Sequence, residues 1–279
     1  TLYGDGSIAG TVRVIPNAPD LGDFSAEIAG SSSSTADLGG QNTSMRAVLN
    51  LPVVEDKFAI RIVGYDYDNS GYYQNIAGDS EDKAVWADAF GGIVVSGDAG
   101  DDQYTGGRIT ALWQVSEDFD VTLSHMAQDI DQSGIPESML ALGGTRRAPF
   151  QKQDGSGEAL GIDLDVTNLK MNLDMGSFAL FSSTSVAKSK TLQDRDLGAY
   201  FGPMLEADDM PIYLTDSADT KSFTQEFRLN TNLDGPWQFL VGAFYQDYER
   251  TRHQIMKFEG TSVLDPFEGA LLFESLVEE

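Results

Sequence analysis

The chain has 279 residues, of which 44 are acidic and 18 basic, so its net charge is −26 at pH 7. We expect no nucleic-acid partner, because nucleic-acid binding depends on Lys and Arg neutralising phosphates. The absence of cysteine excludes disulfides and thiolate metal sites. No apolar run reaches the ~18 residues of a membrane-spanning helix, but a transmembrane strand needs only ~9–11 residues with every second one apolar.

The chain opens with a glycine-rich segment, in which Leu2-Tyr3-Gly4 precedes a β-rich stretch at Thr11–Ile15 that Pro16 and Pro19 terminate. This segment resembles the end of the plug domain of TonB-dependent outer-membrane receptors, where the same succession leads from the plug into the barrel. The resemblance implies that residues 1–20 are the C-terminal end of a plug. Residues 21–279 would then be the N-terminal portion of the β-barrel.

From about residue 40 to 250, an alternating stretch, a short turn and a second alternating stretch recur, with a long polar segment before the next pair. The short turns contain Glu55, Glu117, Asp174 and Asp234, about 60 residues apart. The long segments are residues 69–104, 131–159 and 190–218. Short turns at one rim and long loops at the other are typical of a transmembrane barrel.

The stretches beside the turns alternate with a period of two residues. Ile109 and Trp113 share one face of their strand, and Val121 and Leu123 share one face of the next. The pattern predicts an all-β, antiparallel up-and-down transmembrane β-barrel that is partial, an open curved sheet of about nine strands. The predicted strands lie near 22–30, 44–53, 57–67, 106–115, 119–129, 160–173, 177–187, 221–231 and 237–250.

Two further segments resemble barrel hairpins of the same family: Leu51–Tyr65, and Phe223–Leu229 followed by Asp234–Tyr245. The resemblance implies a plugged barrel of about 22 strands. We therefore expect the chain to be a fragment that lacks the TonB box, most of the plug and more than half of the barrel.

Two local predictions follow from the same strands. Aromatic residues lie where strands lead into long loops, and this placement predicts an aromatic girdle at the membrane interface. The predicted members are Tyr65, Tyr67, Tyr72, Tyr73, Phe244, Tyr245 and Tyr248. The alternative is that tyrosine simply has a high propensity for strands. In 160–173 the alternation changes phase between Val166 and Leu169, which predicts a β-bulge.

Four charged residues on the polar faces of the strands are candidates for the lumen: Arg61, Arg108, Glu226 and Arg228. A charge on the lipid face of a barrel costs about 2–4 kcal/mol at the membrane midplane, so we expect these side chains to face inward. There they could contact the plug or an anionic substrate. The alternative is that they pair with each other and with the plug in a purely structural role.

Four aspartates, Asp66, Asp68, Asp129 and Asp131, resemble the first half of a calcium-binding loop. Neither segment has the glutamate that such a loop needs at its twelfth position, so turn-forming side chains are the alternative interpretation. We predict no other metal site, no cofactor and no catalytic residue, because nucleophile, phosphate-binding and paired-histidine motifs are absent.

The family resemblance implies a transport receptor of the cell outer membrane of a Gram-negative bacterium, not an enzyme. It would take up a scarce nutrient, most commonly an iron–siderophore complex. The implied partners are the TonB–ExbB–ExbD complex, reached through the absent TonB box, outer-membrane lipid, and a small-molecule or metal-chelate substrate. The alternative is a secreted or surface β-sheet protein with a binding or adhesion role, in which the apolar residues would meet in a core.

Overall fold

The computed structural model describes residues 14–36, 39–76, 97–137, 158–197, 212–258 and 271–278. The regular elements in these ranges are β-strands, and none of the described residues forms a helix long and apolar enough to span a membrane. The twelve strands are β1 (Ser25–Ser34), β2 (Gln41–Val54), β3 (Phe58–Asn69), β4 (Tyr73–Asn75), β5 (Gly97–Ala99), β6 (Asp101–Ser116), β7 (Phe119–Ser133), β8 (Ala159–Asp174), β9 (Phe178–Asp196), β10 (Ile212–Thr231), β11 (Leu240–Phe258) and β12 (Leu271–Glu278).

Ten of these strands form a single antiparallel sheet in the order β1-β2-β3-β6-β7-β8-β9-β10-β11-β12. Each strand of this sheet pairs with the next one along the chain, apart from the small β4–β5 hairpin inserted between β3 and β6. The predicted up-and-down topology is therefore confirmed, and the strands near the nine predicted positions are all present. The strand Leu271–Glu278 was not predicted; it pairs with the distal part of β11, from Thr251 to Lys257.

Short turns join the strands at one rim of the sheet, called here the short-turn rim. In the β2–β3 turn, Asp56 has φ of 58° and Lys57 donates a backbone hydrogen bond to Val54. In the β8–β9 turn, Gly176 has φ of 75°, and its N–H donates to the Asp174 carboxylate at 2.8 Å. Glycine adopts this left-handed conformation without steric cost. Local residue choice therefore fixes where these hairpins reverse.

The strands extend farther from the short-turn rim than the sequence pattern predicts. The longest, β10, has 20 residues, which corresponds to about 66 Å at ~3.3 Å per residue. A membrane crossing needs only ~9–11 residues. The outer ends of β9 and β10 therefore occupy about half of the segment 190–218 that was predicted to be long loop.

The two faces of the sheet differ in exposure. Along β7, the side chains from Leu123 to Asp131 on one face are exposed, while those from Thr122 to Gln132 on the other are half-buried. A curved sheet produces this alternation, because side chains spread apart on its convex side and crowd on its concave side. We call the face that carries Leu123 the convex face and the face that carries Thr122 the concave face.

Candidate functional site

The convex face carries a continuous apolar band next to the short-turn rim. Cross-strand register joins Ile62 to Ile109, Trp113 to Val121 and Leu123 to Leu169 across the sheet. These side chains are not packed into a core: Ile109, Trp113 and Leu123 are 46%, 52% and 49% exposed. Other members of the band are Phe58, Ile60, Phe119, Met171, Leu173, Leu180, Val186, Phe223, Phe227 and Leu229. Among the described residues, these apolar side chains therefore lie on the exposed convex face and not in a core.

Three polar side chains interrupt the band on β9 and β10, and they satisfy one another. Thr184 donates a hydrogen bond to the Gln225 carbonyl oxygen at 2.6 Å, and the Gln225 amide donates to the Ser182 hydroxyl at 3.2 Å. An unpaired polar group in hydrocarbon costs several kcal/mol. This cross-strand network removes most of that cost, so the band is compatible with lipid despite its polar residues.

The band ends sharply on the side away from the short turns. On the convex face of β8, Leu173, Met171 and Leu169 are followed by Thr167 and then by two exposed aspartates. On the neighbouring strands the same level carries further charged residues: Asp129, Lys188, Lys190, Asp219, Lys221 and Glu249. The convex face therefore changes from apolar to charged along β3 and along β7 to β11, as at the edge of a membrane.

The predicted β-bulge in β8 was wrong. Pairing with β7 and β9 runs without a register shift from Leu160 to Leu173. The apolar residues change faces instead: Leu169 and Leu173 lie on the convex face, whereas Leu160 and Val166 lie on the concave face. The phase change in the sequence marks the level where the convex face becomes charged, not an extra residue in the backbone.

The concave face carries every arginine in the described part of the chain. These residues are Arg46, Arg61, Arg108, Arg195, Arg228, Arg250 and Arg252. The protein as a whole is strongly acidic. The concentration of guanidinium groups on the concave face therefore distinguishes this face from the rest of the protein. Arginine binds carboxylates and other planar anions through its fixed fork of donors.

Four of these arginines, Arg46, Arg195, Arg228 and Arg252, have carboxylate partners. Arg46 contacts Glu27 at 2.5 Å, and Arg195 contacts Glu137 at 2.6 Å. Arg252 binds the Asp216 carboxylate through two nitrogens and, with Arg250 adding a weaker attraction, holds the pKa of Asp216 below its ordinary value. These ion pairs are complete within the sheet. A structural role therefore explains these arginines without a ligand.

The structure places the four predicted lumen residues, Arg61, Arg108, Glu226 and Arg228, on the concave face. Glu226 and Arg228 form an ion pair at 2.5 Å, and the Arg228 guanidinium lies 5.5 Å from the centre of the Phe181 ring. These two residues therefore pair with each other, as the structural alternative expects.

The other two predicted residues form a different pair. Arg61 is opposite Thr110 in the ladder, so Arg108 is its diagonal neighbour, about 7–8 Å away. Neither arginine forms an ion pair with a described residue, and the buried Nε of Arg61 has no hydrogen-bond partner in the described part of the chain. The two guanidinium groups therefore remain available to an anionic group on the concave side of the sheet.

The segment before β1 is fixed to the concave side of the short-turn rim by Asn50, which is fully buried. The Asn50 amide donates to the carbonyl oxygens of Asp20 and Asp23 at 3.0 and 2.7 Å, and its own oxygen accepts from the Asp20 N–H at 2.9 Å. Sequence reasoning missed Asn50, because one polar residue on a polar face gives no signal. Residues 1–13 of the predicted plug segment lie outside the described residues.

The predicted aromatic girdle is wrong for most of its members. Tyr65 and Tyr67 face the concave side, where the Tyr65 hydroxyl donates to Gln128 at 2.6 Å. Phe244 and Tyr248 also face the concave side. Tyr245 alone of these β11 residues lies on the convex face as predicted, with its ring centre 6.2 Å from that of Phe223. Tyr72 and Tyr73 lie outside the ten-stranded sheet, Tyr73 at the start of β4. The prediction was wrong because it considered only how many aromatic residues cluster near the strand ends, and did not assign each ring to a face of the sheet.

The four calcium candidates lie in strands and not in turns. Asp66 and Asp68 are on the convex face of β3, and Asp129 and Asp131 are on the same face of β7, with β6 between them. Asp66 accepts hydrogen bonds from Thr105 at 2.7 Å and Gln103 at 3.3 Å. Two strand spacings, about 10 Å, separate the two pairs, and no group of three metal-ligating side chains occurs in the described ranges.

The ends of the strands away from the short turns pack against one another. Ile135 and Ile212 are almost fully buried there, and the Glu158 carboxylate accepts a hydrogen bond from the Asp196 N–H at 3.0 Å. Gly71 approaches the β5 backbone so closely that a Cβ would lie 2.4 Å from the Ala99 carbonyl oxygen. The ends of the strands farthest from the short-turn rim therefore form a packed structure, which lies beyond the charged part of the convex face.

Comparison with known proteins identifies the fold. No family model and no curated protein matches the sequence. Among solved structures, the siderophore receptor PiuA from Acinetobacter baumannii is similar with a TM-score of 0.62 and 14% identity over 94% of this chain. The siderophore receptor PirA from the same organism is similar with a TM-score of 0.50 and 12% identity over 88% of this chain.

The chain spans 38% of the length of PiuA and 32% of PirA. At these identities the likeness shows a shared fold. The ten-stranded sheet thus shares its fold with part of each of these two proteins.

Proposed function

We propose that this chain belongs to a TonB-dependent receptor that takes up an iron–siderophore complex across the outer membrane of a Gram-negative bacterium. In this proposal the apolar band contacts outer-membrane lipid, and the concave face lines the lumen. Residues 1–20 end a plug that fills this lumen. A TonB box that precedes the chain receives energy from the TonB–ExbB–ExbD complex.

The observation that carries the proposal is the polarity of the sheet. Ile109, Trp113 and Leu123 are exposed on the convex face, while the arginines occupy the concave face. In water, exposed apolar side chains of this kind would each forgo ~1.5–3 kcal/mol of burial. In lipid they are in their preferred solvent, and the arginines are kept out of it.

The competing function, a secreted or surface adhesion protein, needs the apolar residues to meet in a core. The described residues with almost no exposure include few apolar side chains, and two of these, Ile135 and Ile212, lie at the distal end of the strands. The apolar band has no opposing layer among the described elements. The polarity of the sheet therefore favours a membrane barrel, as the proposed receptor requires, over a soluble adhesion protein.

Uptake by intact cells tests the proposal. Cells that lack the gene would be complemented with the full-length protein, and accumulation of radioactive iron would be followed with ferric catecholate, hydroxamate and carboxylate siderophores in turn. We expect gene-dependent uptake of at least one of these complexes, and its loss in cells without TonB.

Two results would contradict this proposal. One is the absence of gene-dependent uptake for every chelate, although the protein is present in the outer membrane. The other is uptake that continues at the same rate without TonB.

A further inference from the structure

Three tyrosines lie side by side on the concave face of β3 and β6. Tyr67 and Tyr104 are opposite each other in the ladder, and the ring centres of Tyr65 and Tyr67 are 5.6 Å apart. Asp66, which separates Tyr65 from Tyr67 on β3, is on the charged part of the convex face. These three residues, called here the tyrosine cluster, therefore lie on the concave face beyond the level of the apolar band.

The ring of Tyr65 is held in place by its neighbours on β6 and β7. Gly106 is opposite Tyr65 in the ladder, and a Cβ at Gly106 would lie 2.7 Å from the Tyr65 hydroxyl oxygen. The ring therefore covers Gly106, and its hydroxyl donates to Gln128 at 2.6 Å. The hydroxyls of Tyr67 and Tyr104 make no hydrogen bond to a described residue, and both side chains are half-buried. One ring is thus fixed by the sheet, and two are free to contact a ligand.

An arginine without a carboxylate partner borders the tyrosine cluster. Arg108 follows Gly106 on the concave face of β6 and is the diagonal neighbour of Tyr65. It has no ion-pair partner in the described part of the chain, whereas Arg46, which is opposite Tyr65, is paired with Glu27. A guanidinium group binds planar anions through its fork of donors and also stacks on aromatic rings. The Arg108 charge therefore suits a ligand that is both planar and anionic.

The surface beside the cluster on β7 and β8 is apolar. Ile130 is opposite Tyr104, Met126 is opposite Arg108, and Ile162 continues the row from Ile130. None of these side chains is fully buried among the described residues. A ligand rich in amide or hydroxyl groups would leave those groups unpaired here, which costs binding free energy. An aromatic group would lose no hydrogen bonds on the same surface.

We propose that this surface binds an aromatic arm of an anionic iron chelate, so that the transported complex is a catecholate. The arene stacks on the tyrosine cluster, and the iron-bound, deprotonated oxygens of the complex face Arg108. Ferric hydroxamates lack both the arene and the negative charge, and ferric carboxylates lack the arene. The inference rests on the proposed function, because it specifies the class of chelate that the receptor takes up.

Two variants separate the contributions of ring and charge. Tyr67→Leu/Tyr104→Leu removes two rings and keeps the surface apolar, and Tyr65 is retained because it is bonded within the sheet. Arg108→Gln removes the charge. Both variants should keep the heat-dependent gel mobility of a folded barrel, because neither removes an ion pair or a side-chain hydrogen bond between described residues.

Two matched controls change the same residue types at a distance. Tyr248→Leu and Arg250→Gln alter a tyrosine and an arginine on the concave face of β11. Four strands of the sheet separate β11 from β6. The controls therefore change the total aromatic and positive character of the concave face without touching the tyrosine cluster or Arg108.

Equilibrium binding of radioactive iron chelates to the full-length protein in detergent micelles tests the inference. The probes are ferric enterobactin, which is an anionic catecholate, ferrichrome, which is a neutral hydroxamate, and ferric citrate, which is an anionic carboxylate. The wild type should bind ferric enterobactin at least about 10-fold more tightly than the other two. The double tyrosine variant should weaken this binding about 10-fold, and Arg108→Gln about 10- to 100-fold. The two controls should bind as the wild type does.

Three results would overturn the inference. The first is wild-type binding of ferrichrome or ferric citrate that is as tight as that of ferric enterobactin. The second is an equal loss of affinity in the β11 controls, because the effect would then not be local. The third is unchanged binding by Arg108→Gln together with faster proteolysis of the segment before β1, which would assign Arg108 to the plug.

Uptake by cells that carry the wild type distinguishes this inference from the proposed function. TonB-dependent uptake of ferrichrome or ferric citrate, without uptake of ferric enterobactin, would overturn the catecholate inference and support the proposed function. Tight binding of ferric enterobactin without uptake of any chelate would contradict the proposed function and support the binding surface.

Discussion

Placing an arginine at successive levels of the convex face of β7 should produce a depth-dependent loss of stability. Leu123, Ala127 and Asp131 all lie on this face, because they share its two-residue period. The single variants Leu123→Arg, Ala127→Arg and Asp131→Arg carry the same new charge on the same strand. Only the level of that charge relative to the apolar band differs.

The expected magnitudes follow from strand geometry. With β7 starting at Phe119, a rise of ~3.3 Å per residue and a tilt of ~40° place Leu123 about 10 Å, Ala127 about 20 Å and Asp131 about 30 Å above the short-turn rim. The apolar band of a barrel is ~25 Å tall, so Leu123 lies near its midplane. Arginine there costs about 2–4 kcal/mol, falling to about 0–1 kcal/mol near the interface.

The assay is reversible urea unfolding of the full-length protein in phospholipid vesicles, with the folded fraction read from tryptophan fluorescence and gel mobility. The free energy of unfolding should fall most for Leu123→Arg, little for Ala127→Arg and negligibly for Asp131→Arg. Equal losses for all three variants, or a loss below about 1 kcal/mol for Leu123→Arg, would refute the assignment of the convex face to lipid.

Three further predictions concern the rest of the chain. Gly71→Ala should loosen the packed ends of the strands away from the short turns and speed their proteolysis, because the new Cβ would lie 2.4 Å from the Ala99 carbonyl oxygen. Gly64→Ala is the control and should not change the proteolysis rate, because a Cβ at Gly64 would meet no atom within 4 Å. Asn50→Ala removes three hydrogen bonds to the backbone of Asp20 and Asp23, so it should lower the free energy of unfolding in urea by about 1–3 kcal/mol and expose the segment before β1 to protease. Unchanged cleavage of that segment would count against its attachment through Asn50. Arg252 lowers the pKa of Asp216 in the folded protein, so the Arg252–Asp216 pair should stabilise the fold fully above pH 3.8, the ordinary pKa of an aspartate, and lose this effect as the pH falls through the lower folded-state pKa. The free energy of unfolding should therefore differ between wild type and Asp216→Asn at neutral pH and converge at low pH. A difference that persists unchanged at the lowest pH would contradict this prediction.

The strand positions and the up-and-down order could be predicted, because alternation and short turns are local properties of the sequence. Ile109 and Trp113 already share a face by their spacing, and register with β3 and β7 only extends that face sideways. Leu271–Glu278 escaped prediction because it pairs only with the distal part of β11, and a short strand without an adjacent tight turn has no such signal.

The faces of the outer halves of the strands could not be predicted, because their environment changes along a single strand. In β8, Leu169 lies on the convex face at the level of the apolar band. Val166 lies at the level where the convex face becomes charged, and there the apolar side chains are on the concave face. A periodicity rule assumes that each face of a strand has the same environment along its whole length, so it predicts a β-bulge where the apolar residues change faces. The same assumption assigned Tyr65 to the lipid interface, whereas its partner on β7, Gln128, lies on the concave side.

The candidate site was only partly visible for a different reason. Arg61 and Arg108 could be placed on a polar face from the pattern, but their proximity depends on the register between β3 and β6, which no local signal sets. The pairing of Arg228 with Glu226 is local, two residues apart on one strand, and was foreseeable. Their role as plug or substrate contacts remains a prediction.

The central claim, that the convex face meets lipid and the concave face meets an aqueous or plug-filled lumen, can be measured along β7. None of the 279 residues is a cysteine, so single cysteines introduced from Asp120 to Gln132 into a cysteine-free version of the full-length protein can carry spin labels after reconstitution into membranes. Odd-numbered positions up to Leu123 should be accessible to oxygen dissolved in lipid and shielded from a water-soluble nickel complex. Beyond Ala127 the odd-numbered positions should become accessible to the nickel complex. Accessibility without this alternation, or nickel access at Val121 and Leu123, would contradict the account.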